Sequence, residues 1–263
     1  MTAGAITQHL DRGPSFRSCE ELLVSRTGPS VPLGDNEVHV WGWILDGSQA
    51  CVQICASWLD ADERTRAARF ARDEDRRRFV LAHGCLKALL SRYIGCPVEC
   101  VPIGRNQFGK PVLSSRPASL ESVEFNLSHS QDRMIIGVAK TKDLGIDLES
   151  IRLDTDVLGL AGRFYSRGEQ EVLKRLPPAD QREAFFHYWV AKEAVLKGRG
   201  TGISSLQSCE IAWDSSRPRA SASLLGEGDD KPGWTVEWLA CGTMWAAAVA
   251  CRGDNWTARC MGF

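Results

Sequence analysis

Trp189-Val190-Ala191-Lys192-Glu193-Ala194-Val195-Leu196-Lys197 places one carboxylate and two ammonium groups inside a strongly helical run. At about 3.6 residues per turn, Trp189, Glu193 and Lys197 fall at i, i+4 and i+8 and form one stripe, with Lys192 on its flank. A solvated Glu–Lys pair is the ordinary reading of that spacing. However, the preceding Phe185-Phe186-His187-Tyr188-Trp189 is too apolar and aromatic for a freely exposed face. A charged stripe that continues an aromatic one predicts the wall of a cleft.

Moving outward, Gly198-Arg199-Gly200-Thr201-Gly202-Ile203 ends this helix with residues that tolerate a left-handed backbone. Beyond it, 214–233 reads as a loop. Trp234–Ala240 and Met244–Ala250 flank Cys241-Gly242-Thr243 as a hairpin. On the other side, Pro177-Pro178 separates the helix from a segment beginning at Arg163. That segment echoes an earlier one. Arg69-Phe70 and Arg163-Phe164 open the two, acidic positions follow (Asp73 and Asp75, Glu169 and Glu171), and each leads into a long apolar helix. Two similar α/β halves with a site between them are expected from this echo.

Leu144-Gly145-Ile146-Asp147-Leu148-Glu149 reads as a strand, on which Asp147 and Glu149 share one face and Ile146 and Leu148 the other. Two carboxylates about 4 Å apart repel by roughly 4 kcal/mol at an effective dielectric of about 20. Proton sharing, a solvated strand end or a hard divalent cation with oxygen ligands would offset that repulsion. Val123–Ser130 alternates apolar and polar residues, so Asn126, Ser128 and Ser130 lie opposite Phe125 and Leu127. Asn126, Ser128 and His129 offer neutral or switchable donors suited to phosphate oxygens, or simply cap the strand end. In Gly104–Pro111, Arg105 and Lys110 place two cations on one loop, either a phosphate clamp or a plain basic turn.

Asp60 to Arg78 is dense in charge and reads as a solvated helical surface, whereas Phe79–Leu90 reads as a buried helix carrying a core histidine, His83. Glu37–Leu45 has the composition of a buried strand. Residues 1–35 lack a sustained period and read as a flexible extension, followed by half-domains over 36–124 and 125–263. With 43% hydrophobic and 25% charged residues the composition is globular, and a net charge of −1 argues against bulk electrostatic binding of nucleic acid. The ten cysteines form no paired CxxC motif, and neither a leader segment nor a membrane span is evident, which together predict a reduced, cytoplasmic protein.

Taken in order, Phe108-Gly109-Lys110-Pro111, Phe125-Asn126-Leu127-Ser128-His129-Ser130, Gly145-Ile146-Asp147-Leu148-Glu149 and Trp189–Lys197 resemble the 4'-phosphopantetheinyl transferase superfamily, in particular its large monomeric surfactin-type class. The resemblance covers about residues 37–250. It implies an α+β, pseudo-twofold fold of two similar half-domains, with coenzyme A in the cleft between them. It further implies a monomeric enzyme that moves the 4'-phosphopantetheine arm of coenzyme A to a serine of an apo acyl, polyketide or peptidyl carrier protein, releasing adenosine 3',5'-bisphosphate. Asp147, Glu149 and Glu193 match the carboxylates that hold Mg²⁺, or Mn²⁺, on the coenzyme A diphosphate, and Glu193 is also the implied base for the serine. Lys197 matches the cation on the diphosphate. Asn126, Ser128, His129 and Lys192 match cofactor-contacting positions, and Arg66, Arg105 and Lys110 match basic positions near the nucleotide. Glu63 departs from the pattern, standing where some relatives have a lysine for the 3'-phosphate. A silent coenzyme A or carrier-binding module is the alternative, although such a module should have lost Asp147, Glu193 or Lys197. An unrelated Mg²⁺-dependent phosphotransferase lacks support, since there is no GxxxxGK[ST] loop.

Overall fold

Apolar residues alternating on both faces of the strands make two sheets that each need cover on two sides, and the chain supplies a long helix for one side of each. The computed structural model describes residues 12–21, 30–114, 123–140, 143–200, 203–213, 219–227 and 232–262. In chain order these form β1 (Phe16–Ser18), β2 (Glu37–Ile44), α1 (Gln49–Ser57), α2 (Ala61–Ala68), α3 (Asp73–Ile94), β3 (Ile103–Arg105), β4 (Pro111–Leu113), β5 (Glu124–Ser130), β6 (Arg133–Ala139) and β7 (Leu144–Ser150). Then follow α4 (Val157–Phe164), α5 (Arg167–Arg175), α6 (Pro178–Arg199), β8 (Cys209–Ala212), β9 (Ala220–Leu224), β10 (Trp234–Trp238), β11 (Trp245–Arg252) and β12 (Thr257–Cys260).

One sheet runs β1-β2-β6-β5, with β12 also parallel to β2, and the other runs β7-β11-β10-β9-β8. The strand period sorts their side chains into layers. On β6, Met134, Ile136 and Val138 join the core under α3, while Ile135 and Ala139 join a layer shared with Leu144, Ile146 and Leu148 of β7. On β11, Ala246, Ala248 and Ala250 face the α6 core, and Ala247 and Val249 face that same shared layer. The order is therefore helix, sheet, sheet, helix, and the α+β fold of two similar halves is as expected.

Three details differ from the sequence reading. The repeat is real but its register is not the Arg-Phe echo: α2 with α3 corresponds to α5 with α6, because both short helices open with a capping box, Asp60 with Glu63 and Ser166 with Glu169. The dipeptide Arg69-Phe70 follows its short helix, whereas Arg163-Phe164 precedes its own. The halves do not divide at residue 125, since β5 pairs with β6 from Glu124↔Ala139 to Ser130↔Arg133, and β6 with β2. That tight hairpin keeps β5 and β6 in the first sheet, and the change of sheet comes between β6 and β7. Finally, residues 12–18 are built into the fold rather than flexible: the Arg12 carbonyl accepts from the Ala240 N–H at 2.9 Å, and β1 pairs with β2 at Phe16↔Gly42. Residues 1–11 and 22–29 of the expected extension, 201–202 of the helix-ending run, and 214–218 and 228–231 of the expected loop lie outside the described residues.

Candidate active site

Strand β7 is the outer strand of its sheet and β5 the outer strand of the other, and polar side chains of β5 tie the two together. Asn126 Oδ1 accepts the Ile146 N–H at 3.1 Å and Ser130 Oγ the Ser150 N–H at 3.3 Å, so the alternating polar side chains of β5 replace part of a backbone ladder. The remaining donors hold carboxylates: Ser128 Oγ donates to Asp147 Oδ1 at 2.8 Å and Ser130 Oγ to Glu149 Oε2 at 2.9 Å. Capping a strand and positioning acids are thus one arrangement here.

Helix α6 brings the third carboxylate. Proline at its first position suits the helix start, and Gly145 lets β7 approach it closely, since a Cβ there would lie 1.8 Å from the Ala194 carbonyl oxygen. That contact sets Glu193, on the preceding residue, and Lys197, one turn on, against Asp147. Lys197 Nζ donates to Asp147 Oδ1 at 2.5 Å and to Ser128 Oγ at 2.8 Å. Glu193 is 6% exposed. Burial and the Asp147 charge push its carboxyl up to about 7, with Lys197 opposing and Glu149 adding. Burial and Asp147 also raise Glu149 above the usual carboxylate range. Asp147 Oδ2 is buried with no hydrogen-bond partner.

Three crowded carboxylates, two of them pushed up, and an orphaned oxygen form a donor set short of positive charge, which suits a hard cation. Among the described residues, no three His, Cys, Asp or Glu side chains converge closely enough to hold a metal ion as they stand. The ammonium of Lys197 supplies the positive charge at Asp147 instead.

Next to these acids lies a cavity of about 260 Å³, lined by Lys110, Asn126, Glu193 and Lys197 and by the apolar Phe108, Leu127 and Leu196. Pro111 joins it to a second compartment of about 200 Å³ that contains Arg66 and Arg105. Lys110 Nζ donates to the Leu144 carbonyl at 3.2 Å, and burial lowers its pKa. Arg105 donates to the Gly109 carbonyl at 2.8 Å, and Arg66 pairs with Asp62 at 3.3 Å and lies over the Phe79 ring. His129 is partly solvent-exposed, yet desolvation and the charges of Lys197, His83 and Arg78 lower its pKa. The sequence-predicted residues Asp147, Glu149, Glu193, Lys197, Asn126, Ser128 and Lys110 therefore meet, with His129 at the rim and Arg66 and Arg105 next door.

Lys192 does not join them. It is fully buried on another face of α6, paired with Glu169 and 4.9 Å from the Tyr165 ring centre, because a helix turns consecutive residues by about 100°. Lys192, expected as a cofactor contact, is instead a strut of the core. The departure at Glu63 also has a structural reason: its carboxylate is 1% exposed and bonded to His83 at 2.8 Å and Lys87 at 3.0 Å. Sequence reading missed the apolar lining Leu127 and Leu196, whose only signal is that each neighbours a polar site residue.

Comparison with known proteins assigns both halves. A family model described as 4'-phosphopantetheinyl transferase superfamily matches residues 143–250, and one described as 4'-phosphopantetheinyl transferase, N-terminal, matches residues 46–141. The 4'-phosphopantetheinyl transferase HetI of Nostoc sp. (strain PCC 7120 / SAG 25.82 / UTEX 2576) is 37% identical over 228 residues, 87% of this chain and 93% of the relative. The 4'-phosphopantetheinyl transferase Sfp of Bacillus subtilis (strain 168) is 28% identical over 148 residues, 56% of this chain and 63% of the relative.

Proposed function

Because the chain belongs to the 4'-phosphopantetheinyl transferase superfamily, we propose that the Asp147, Glu149 and Glu193 carboxylates and the Lys197 ammonium are its catalytic centre. The enzyme transfers the 4'-phosphopantetheine arm of coenzyme A to a serine of an apo carrier protein, leaving adenosine 3',5'-bisphosphate. In our reading Asp147, Glu149 and Glu193 would hold Mg²⁺, with Mn²⁺ as an acceptable substitute. When bound, the ion would neutralise diphosphate charge and polarise the phosphorus under attack. One observation carries the assignment: the orphaned Asp147 oxygen stands in the same buried cluster as a Glu193 carboxyl pushed up to about 7.

The chain's own groups then have separable tasks. Glu193, with a pKa near neutrality, accepts the serine proton as the serine oxygen attacks the phosphate that bears pantetheine. Lys197 leaves a carboxylate partner for the diphosphate and offsets the charge that builds on the leaving phosphate. Lys110 and Asn126 orient the diphosphate from the opposite wall, and Phe108, Leu127 and Leu196 take the pantetheine arm and keep water from it. Arg66 and Arg105 supply the positive field for the nucleotide end, and His129, its pKa lowered by burial and by the positive charges around it, offers a neutral hydrogen-bonding group at the rim. We place the protein in the cytoplasm as a monomer. Its cysteines are all free, and among the described residues no helix is long and apolar enough to cross a membrane.

The test is intact-mass spectrometry of an apo acyl carrier protein incubated with this protein, coenzyme A and Mg²⁺, with EDTA and Asp147→Ala as parallel samples. A gain of about 340 Da, the size of the transferred arm, that disappears in both controls is expected. A gain that persists with EDTA would remove the metal role, and one that persists in Asp147→Ala would remove the role of that carboxylate.

A further inference from the structure

The second compartment of the cleft, of about 200 Å³, is lined not only by Arg66 and Arg105 but also by His83, which the sequence presents as a core histidine. His83 lies on α3 and is 7% exposed. Its ring is held on two sides, since Nδ1 is bonded to Glu63 Oε1 at 2.8 Å and the face lies against Phe79 with ring centroids 4.1 Å apart. Glu63 is fixed in turn. It completes the capping box of α2 and pairs with Lys87 Nζ at 3.0 Å.

This partnership assigns the two ring nitrogens. Burial pushes the Glu63 carboxyl up, but hydrogen bonds from His83, the Asp60 N–H and Lys87 outweigh it and hold it at about 2, so the group is ionised and can only accept. Nδ1 of His83 is therefore the donor to Glu63. Nε2 is left as the ring's other hydrogen-bonding atom, without a partner among the described residues, on a side chain that lines the compartment. An imidazole oriented by a carboxylate at one nitrogen is set to bind a guest at the other.

The charges around it decide the sign of that guest. Three acids border the compartment, and each is answered locally: Asp60 accepts the Glu63 N–H at 2.8 Å, Asp62 pairs with Arg66 at 3.3 Å, and Glu63 pairs with Lys87. Arg105 donates to a backbone carbonyl, that of Gly109, and faces no carboxylate at ion-pair distance among the described residues. The uncompensated charge is positive, and it calls for an anion. Pro111 joins this compartment to the one that holds Lys110 and Lys197, so a single guest with two separated anionic groups can span both. Coenzyme A carries two such groups, a diphosphate and a 3'-phosphate monoester. With the cleft read as the coenzyme A site, on which this inference rests, we propose that His83 Nε2 binds the 3'-phosphate, with Arg105 on the same wall. A phosphate monoester gives up its second proton near pH 6, so phosphate and imidazole bring one proton to their contact and are hydrogen-bonded whichever of them holds it.

The probes are adenosine 3',5'-bisphosphate and adenosine 5'-phosphate, which differ in the 3'-phosphate alone, titrated into the full-length protein by calorimetry, so that no turnover is needed. The bisphosphate should bind at least about tenfold more tightly. His83→Ala, its fold checked by urea unfolding, should reduce that ratio by at least about fivefold. In the parent protein the ¹⁵N signal of His83 Nε2 should move with the bisphosphate and stay in place with the monophosphate, a response that a purely structural histidine would not give and that needs no variant. Equal affinities in the parent, a ratio that survives in folded His83→Ala, or an Nε2 signal that moves equally with both probes would each overturn the proposal. If carrier-protein loading failed while the ratio and the shift were found, the transferase reading would fall and His83 would stand as a group that binds the 3'-phosphate.

Discussion

The helices α3 and α6 are both 22 residues long, and each ends at a glycine in the left-handed region, Gly95 at φ 67° and Gly200 at φ 79°. Each is pinned by the same device: a glutamate at the third position of a capping box, buried in the short preceding helix, that pairs with a buried lysine of the long one. Glu63 with Lys87 does this in the first half and Glu169 with Lys192 in the second. One residue further on the halves part company, with Ala88 in α3 and Glu193 in α6. Glu193 has Asp147 and Glu149 of β7 beside it, whereas Ala88 belongs wholly to the apolar core. The two halves share the scaffold but not the carboxylates proposed for the chemistry, and a shared strut therefore tells nothing about where the reaction takes place.

The largest expected effect tests that separation. Glu193→Gln should lower carrier-protein loading about 10²–10⁴-fold, the range for removal of a general base, while urea unfolding shows a protein at least as stable as the parent. Loading that stays at parental rate would break the assignment of chemistry to the second half alone. The struts should behave alike: Lys87→Met and Lys192→Met each take the ammonium from a buried carboxylate, Glu63 keeping His83 and the Asp60 N–H and Glu169 the Ile211 and Ser166 N–H groups, for a loss of about 3 kcal/mol. Urea midpoints measured side by side check this, and a loss confined to one half would show that the two pairs are equivalent in appearance only.

The parts of the site legible from sequence are those fixed by periodicity. Asp147 and Glu149 on one strand face follow from a period of two, and Glu193 and Lys197 from a helical turn. Lys192 shows the limit. Its place in the helical run is evident, but the face it occupies depends on Glu169, which reaches it from another helix and which no local pattern announces. The same holds for the repeat: the Arg-Phe echo was visible as a string, while the true register rests on capping boxes whose glutamates are recognised by what they hold. The layers of sheet against sheet, and the placement of β5 and β6 in the first, came from pairing partners distant in sequence.

Two of the three buried glutamates, Glu63 of the first half and Glu193 of the second, also differ in how they respond to pH. Burial pushes Glu63 up, but hydrogen bonds from His83, the Asp60 N–H and Lys87 outweigh it and hold the carboxyl at about 2. A pKa below its unfolded value means stability that is present above about pH 4.5 and lost as pH falls toward 2. Glu193, at about 7, has the opposite sign: its contribution is complete below about pH 4.5 and is lost as pH rises through 7. Allowing for solvent screening, each is worth about 2 kcal/mol. Urea unfolding without divalent cations should show Glu193→Gln removing the decline between about pH 4.5 and 7, and Glu63→Gln removing the acid-side rise. If both variants altered the same pH range, the contrast between the halves would fail.

The smallest effect lies at the two helix ends and separates stability from function most cleanly. Gly95 and Gly200 hold the same left-handed conformation, so alanine at either costs about 1 kcal/mol of backbone strain. Around Gly95 nothing lies within 4 Å of an added Cβ, and Gly95→Ala should show that strain and no more. At Gly200 the same methyl group would stand 3.5 Å from the Asn106 side-chain nitrogen, on the wall of the cavity that holds Lys110, Glu193 and Lys197. Gly200→Ala should therefore match Gly95→Ala in unfolding free energy yet raise the KM for coenzyme A by a few-fold, as a methyl group in a binding wall does, with kcat nearly unchanged. Steady-state loading assays on the two variants, compared at equal folded fraction, decide it. An unchanged KM in Gly200→Ala would move the cofactor away from the end of α6, and a raised KM in Gly95→Ala would mean that the first half shapes the cleft as much as the second.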